Sequence, residues 1–159
     1  MIFVTVGYQM PFDRMIGAVD QWASAHPEAE VFAQIGPTDH RPANLPFTEF
    51  MDPSEFTRRV RNSSVLVAHA GMGSILTALQ YGKPIVVMPR RGDLQETRND
   101  HQLATARKLA DRPGIEVAMD EIELGKALDR LQDLDAAPML SDTASPELIG
   151  YLKNFIAGR

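Results

Sequence analysis

None of the 159 residues is cysteine, which excludes a disulfide framework, a thiolate nucleophile and any zinc site built on cysteine. That usage suits a reducing cytoplasm. Long apolar runs are missing too: no stretch approaches the roughly 20 residues that span a bilayer, so any membrane association is expected to be peripheral. Met1-Ile2-Phe3-Val4-Thr5-Val6-Gly7 has no basic segment ahead of its short apolar run and reads as a strand, not a signal peptide. There is no basic excess. The formal net charge is −5, which argues against general nucleic-acid binding.

Several signatures of known chemistry are also absent. The turn after the first strand has one glycine, Gly7, where G-x-G-x-x-G needs three, and no G-x-x-x-x-G-K-[ST] occurs. Gly71-Met72-Gly73-Ser74 is not the G-x-S-x-G of a serine nucleophile. Asp93, Glu96, Asp100 and His101 crowd one loop without H-E-x-x-H or EF-hand spacing, so no metal is expected.

What is present is a soluble globular composition, 44% apolar and 23% charged, and a length that suits one domain with a proper core. Strand and helix patterns alternate. Strands are expected over residues 2–6, 30–35, 46–50, 65–69, 85–88 and 115–119. Helices are expected over 12–25, with Ile16, Val19 and Trp22 on one face, then from Asp52-Pro53, after the 69–74 turn, over 99–110, and from Asp120. Asp52 caps its helix and Pro53 opens it. Ala127, Leu128, Leu131 and Leu134 are expected to face inward. The strands Val65–His69 and Ile85–Met88 are the most apolar and should be central, buried on both faces as in a parallel sheet. Right-handed crossovers then give a single doubly wound, Rossmann-like α/β domain of strand order 3-2-1-4-5-6 over residues 1–135. A linker over 136–145 and an amphipathic helix over 146–159 follow, the latter with Leu148, Ile149, Leu152, Phe155 and Ile156 on one face. That face either packs on the domain itself or holds a partner, and deletion after Pro138 would separate the two.

His69-Ala70-Gly71-Met72-Gly73-Ser74 sits between an apolar strand and a helical pattern in Ile75, Leu76 and Leu79. Two glycines at such a turn let backbone pass close to a ligand, and the unpaired amides of a helix start favour an anion, most often a phosphate. Glycines also tighten turns for no other reason. His69 can donate to a phosphate oxygen there, or serve as a packed structural residue. His26 and His40 lie in polar loops and are read as exposed. Residues 58–112 hold ten Lys/Arg against four Asp/Glu, while the rest of the chain holds six against seventeen. Within that basic middle, Arg90-Arg91 either neutralises a diphosphate or is solvated.

These segments, taken in order, resemble the nucleotide-sugar-binding half of GT-B glycosyltransferases, specifically the family 28 C-terminal domain. They are similar in particular to the small subunits of split enzymes, the Alg13-like and PssE-type proteins. The resemblance is carried by Ile2-Phe3-Val4-Thr5-Val6-Gly7 with Phe12-Asp13-Arg14, Ala33-Gln34-Ile35-Gly36, His69-Ala70-Gly71-Met72-Gly73-Ser74-Ile75-Leu76, Ala78-Leu79, Gly82-Lys83-Pro84-Ile85, Pro89 and His101-Gln102.

The resemblance implies a UDP-sugar donor and no cofactor. His69, Gly71, Gly73 and Ser74 would hold the diphosphate, and Gly7 and Gln9 would line the opposite wall. Phe50 and Met51 would present backbone groups to the base, while His101 and Gln102 would reach the sugar hydroxyls. Thr77 stands where larger relatives often carry an acid for the ribose, and His101-Gln102 replaces a common Asp-Gln pair. In such enzymes an acceptor hydroxyl attacks the anomeric carbon with inversion, and no metal is required. The general base commonly comes from the other lobe, which this chain does not contain. The resemblance therefore implies a membrane-associated acceptor-binding subunit of Alg14 or PssD type and a lipid-linked saccharide acceptor. It also implies a place at the inner face of the cytoplasmic membrane, held through that partner, in exopolysaccharide biosynthesis. A non-catalytic stabilising or regulatory subunit is the alternative; an epimerase on nucleotide sugars shares the architecture but needs two lobes.

Overall fold

Continuous apolar runs bounded by turn residues become the strands of one sheet in the computed structural model, which describes residues 1–139. The strands are β1 (Ile2–Thr5), β2 (Val31–Gln34), β3 (Phe47–Thr48), β4 (Val65–His69), β5 (Ile85–Met88) and β6 (Ile115–Val117). All neighbours are parallel, in the order β3-β2-β1-β4-β5-β6. The doubly wound order expected from the sequence is the order observed. β1 and β4 form the central pair, with β5 one place outward.

Five helices, α1 (Asp13–Ala25), α2 (Pro53–Asn62), α3 (Met72–Gln80), α4 (His101–Leu109) and α5 (Glu121–Asp129), cover the two faces. Side chains alternate along a strand, so each strand supplies two cores. Val4 and Val67 join Ile16 and Val19 of α1 and Leu124 and Leu128 of α5. Phe3, Leu66 and Val87 join Val60 of α2, Ile75 of α3 and Ala106 of α4 on the other face. Asp52 accepts hydrogen bonds from the Ser54 and Glu55 amides, both at 2.9 Å, and Asp120 accepts one from Glu123 at 2.8 Å. Both expected caps are formed.

Four local readings need correction. α3 starts at Met72 with Gly71 as its cap, and its inward residues are Ile75, Ala78 and Leu79, leaving Leu76 exposed. The helix after Asp120 stops at Asp129 and tightens to one 3-10 turn, Leu131–Asp133. Leu131 and Leu134 still pack on the first core, as expected, and the chain reaches the second at Ala137. α4 begins at His101, because the Asp100 carboxylate accepts from Gly92 N–H at 3.0 Å rather than capping the helix. His26 and His40 are half-buried rather than exposed, since His26 stacks on Trp22 at 4.2 Å and the His40 Nε2 is shut off from solvent. The expected helix over 146–159 and the linker beyond Met139 lie outside the described residues. Among the described residues no helix is long and apolar enough to cross a membrane.

Candidate functional site

β1 and β4 run side by side, with Thr5 opposite Ala68, and their following turns part at the carboxyl edge of the sheet. Ligands of open α/β sheets bind at such a point. A cavity of about 480 Å³ opens there between the turns after β1, β4 and β5. Gly7, Gln9, His69, Gly73, Ser74 and Thr77 line it, as do Arg90 and Gln102 from the third side. Residues far apart in the chain thus meet on one wall.

The His69 imidazole lies between two glycines. A Cβ on Gly71 would fall 2.2 Å from its Nε2, and a Cβ on Gly7 would fall 2.8 Å from its Cε1. Gly7 also has φ +78°, a conformation that other residues rarely adopt. Burial, reinforced by the Arg90 charge and opposed by the nearby Thr5 carbonyl, pushes the imidazole down to about 4. It is therefore neutral near pH 7, with one N–H to give and one lone pair. Its Nδ1 is closed off from solvent with no hydrogen-bond partner among the described residues.

This makes a pH prediction with a definite sign. The unfolded imidazole titrates near 6.5 and the folded one near 4, so between those values the unfolded chain binds more protons. Stability is full above about pH 6.5, falls as the pH drops toward 4, and levels off below. Urea unfolding followed across this range should show the loss, and His69→Gln should remove most of it.

Beside the imidazole, α3 begins without a side-chain cap, and the Gly71 amide is already bonded to the His69 carbonyl at 2.7 Å. The amides of Met72, Gly73 and Ser74 have no acceptor within the helix. A helix start of this kind favours an anion. Thr77 lines the cavity with its hydroxyl engaged, donating to the Gly73 carbonyl at 2.8 Å.

Arg90 is not solvated. It is 4% exposed, and its guanidinium donates to the carbonyls of Val6 at 2.8 Å, Met10 at 2.6 Å and Pro11. It also lies 4.7 Å from the Phe12 ring centroid. Burial lowers it to about 10, so it stays charged while holding the β1–α1 turn. Its own amide donates to Gln102 Oε1 at 3.1 Å, which aims Gln102 at the cavity. Arg91 is the more solvated of the two and pairs with Asp93 at 2.6 Å.

Phe50, Met51 and His101 are not on this wall. Phe50 and Met51 border a smaller neighbouring cleft with Phe32 and Arg59. The Tyr8 hydroxyl reaches across to donate to the Met51 carbonyl at 2.8 Å, and Thr48 donates to the Phe50 carbonyl at 2.8 Å. His101 is exposed at the start of α4.

Sequence reasoning gave no role to Thr5 and Gln34, both 1% exposed. Thr5 Oγ1 donates to Gln34 Oε1 at 2.7 Å, and Gln34 Nε2 donates to the carbonyls of Gly7 at 3.1 Å and Glu49 at 2.8 Å. This buried network fixes the turn that carries Gly7. A glutamine at the end of an apolar strand was the signal, since a buried amide needs partners. Among the described residues no carboxylate lines the cavity, and no group of acids and histidines could hold a metal.

Residues 1–144 match the glycosyltransferase family 28 C-terminal domain. The chain belongs to this family. No curated protein matches it. Among solved structures, the glycotransferase of kitacinnamycin is similar at 20% identity and TM-score 0.60, over 82% of this chain and 34% of that one. The NMR solution structure of ALG13 is similar at 18% identity and TM-score 0.62, over 95% of this chain and 93% of that one. VinC in complex with dTDP is similar at 19% identity and TM-score 0.54, over 99% of this chain and 42% of that one. These likenesses are of fold. The chain spans about a third of the kitacinnamycin glycotransferase and most of ALG13.

Proposed function

We propose that the chain is the donor-binding subunit of a two-component inverting glycosyltransferase that moves a sugar from a UDP-sugar to a lipid-linked acceptor in exopolysaccharide biosynthesis. The observation that carries the reading is the uncapped start of α3 beside a neutral imidazole in an open cavity. In the reaction, an acceptor oxygen forms a bond to the anomeric carbon while the bond to the β-phosphate oxygen breaks. The electron pair leaves with UDP, and fixed amides stabilise the charge that develops there. His69 sits where it can donate to that leaving group.

The acceptor hydroxyl must lose a proton, and no carboxylate on this wall can take it. That supports a base on a membrane-associated partner of Alg14 or PssD type. The likeness to ALG13 supports the comparison with a split enzyme, and the dTDP of VinC agrees with a nucleoside diphosphate ligand. We place the protein in the cytoplasm, held at the inner face of the membrane through that partner, with the segment over 146–159 as its point of attachment.

A second reading, a stabilising or regulatory subunit without a donor, draws on Thr77, which stands in place of an acid and bonds to its own helix. Calorimetric titration of UDP, UDP-GlcNAc, UDP-glucose and UDP-glucuronate separates the two. The donor reading expects UDP and one UDP-sugar to bind in the micromolar range usual for substrates, with no transfer to a soluble acceptor by the chain alone. Absence of nucleotide binding, with the partner also present, would favour the regulatory subunit.

A further inference from the structure

One side of the cavity is built from a loop. The segment between β5 and α4 places Thr97 on the wall and leads into Gln102. It holds no regular element between Met88 and His101, and residues 93–95 and 98–100 are exposed. A wall on such a segment keeps its shape only where side chains pin it. Two pins are present. The Asp100 carboxylate accepts the Gly92 amide at 3.0 Å. Glu96 supplies the other: its carboxylate accepts the Arg91 amide at 2.9 Å, and its own amide donates to the Arg91 carbonyl at 3.1 Å. The residue before it, Gln95, has φ +58°, a left-handed turn that a non-glycine residue keeps only where its surroundings impose it.

What grips Glu96 comes from outside the loop. Arg14, in the first turn of α1, donates to it through Nε at 2.7 Å and Nη2 at 2.8 Å. This is the planar two-point fit that an arginine makes with a carboxylate. The two side chains are 13% and 12% exposed, so water competes little for the pair. Arg14 Nη2 also donates to the Pro89 carbonyl at 3.1 Å, and Nη1 to the Glu121 carboxylate at 3.2 Å. The guanidinium thus ties the loop to the end of β5, to α1 and to α5 at once. Neither Arg14 nor Glu96 lines the cavity, so any effect on a ligand passes through the loop.

We propose that Arg14 and Glu96 are positioning residues for donor selection: together they hold the loop so that Thr97 and Gln102 meet the sugar of a nucleotide sugar. This role rests on the donor reading and deepens it. On that reading the diphosphate takes the uncapped start of α3, which leaves the third side of the cavity to the sugar. Arg90 does not depend on the pair, because its guanidinium is held by carbonyls of the β1–α1 turn. Loosening the loop therefore weakens recognition of the sugar and spares recognition of the nucleotide. A pair that only stabilised the fold would lower the unfolding midpoint and change neither.

The test is calorimetric titration of the full chain with UDP and with whichever of UDP-GlcNAc, UDP-glucose and UDP-glucuronate the parent binds best. Glu96→Gln keeps the size of the side chain but breaks the charged fork. It should weaken the UDP-sugar about tenfold, roughly the loss of one well-placed hydrogen bond, while UDP stays within about twofold. Arg14→Gln should do the same, and the double variant should lose no more than either alone, since the two act as one unit. Hydrogen exchange at the Arg91 and Glu96 amides should quicken several-fold in both single variants. Thr97→Val should weaken the UDP-sugar without quickening that exchange. An unchanged preference for the sugar in both single variants would overturn the proposal, as would unchanged exchange or an equal weakening of UDP. A parent that binds UDP yet none of the three sugars would overturn it too. Failure of the parent to take any nucleotide would instead remove the donor reading itself, and this role with it.

Discussion

Gly71→Ala is expected to abolish UDP binding in practice, weakening it about a hundredfold or more. The new methyl would fall 2.2 Å from His69 Nε2 and 2.8 Å from Cδ2, far inside contact distance. The ring lies between the Gly71 and Gly7 turns, so moving away from a new methyl takes it toward Gly7 or out into the cavity. Either the imidazole leaves its slot or the β4–α3 turn shifts, and both dissolve the register of donors at the start of α3. Losing hydrogen bonds to a charged phosphate amounts to about 3 kcal/mol, a factor of roughly a hundred in affinity. Overpacking adds a stability loss of about 1–3 kcal/mol. Gly73→Ala is the fold control, since a Cβ there meets nothing within 4 Å, and its unfolding midpoint should hold or rise. Titration calorimetry reads the first effect and urea unfolding the second. A Gly71→Ala protein that binds UDP normally would mean the imidazole is not confined as described.

Arg90→Met is expected to destabilise the fold by about 3–5 kcal/mol, which is a large share of the roughly 5–15 kcal/mol that holds such a domain. The guanidinium bonds three carbonyls of the β1–α1 turn, those of Val6, Met10 and Pro11. Methionine fills much of the volume but donates nothing, so these buried acceptors would lose their partners at about 1–3 kcal/mol each, partly relieved by relaxation. The cation over Phe12 is lost as well. Arg90→Lys should fall between, since one ammonium lacks the planar fork that reaches several carbonyls at once. Urea unfolding measures this directly. A shift below about 0.5 kcal/mol would show that water satisfies the turn as well as the guanidinium does.

The contrast between these two residues shows how much was legible in the sequence. The sheet was, because unbroken apolar runs such as Val65-Leu66-Val67-Ala68 identify strands buried on both sides, and alternation with helices then fixes the order. So was the turn at Gly71 and Gly73, where local spacing alone marks a helix start. Arg90 was not, because nothing in a linear pattern says that its side chain turns inward to carbonyls about eighty positions earlier. Phe50 and Met51 fell short of the cavity wall for a similar reason: the Tyr8 hydroxyl holds Met51 from across the mouth. Leu76 was misread because periodicity shows that a helix has an apolar stripe without fixing the edge of that stripe. Gln34 was visible but mute, since its meaning lies in the backbone of two other segments.

The cavity wall holds one neutral imidazole, one inward-turned cation and no acid, with transitions near 4 for His69 and near 10 for Arg90. The groups that favour an anion there, peptide dipoles and the Arg90 charge, keep their state between those two values. Across the whole range in which a cell's interior fluctuates, the wall keeps a constant electrostatic character. On the proposed two-component reading, acid or base sensitivity of turnover would report on the partner that supplies the base.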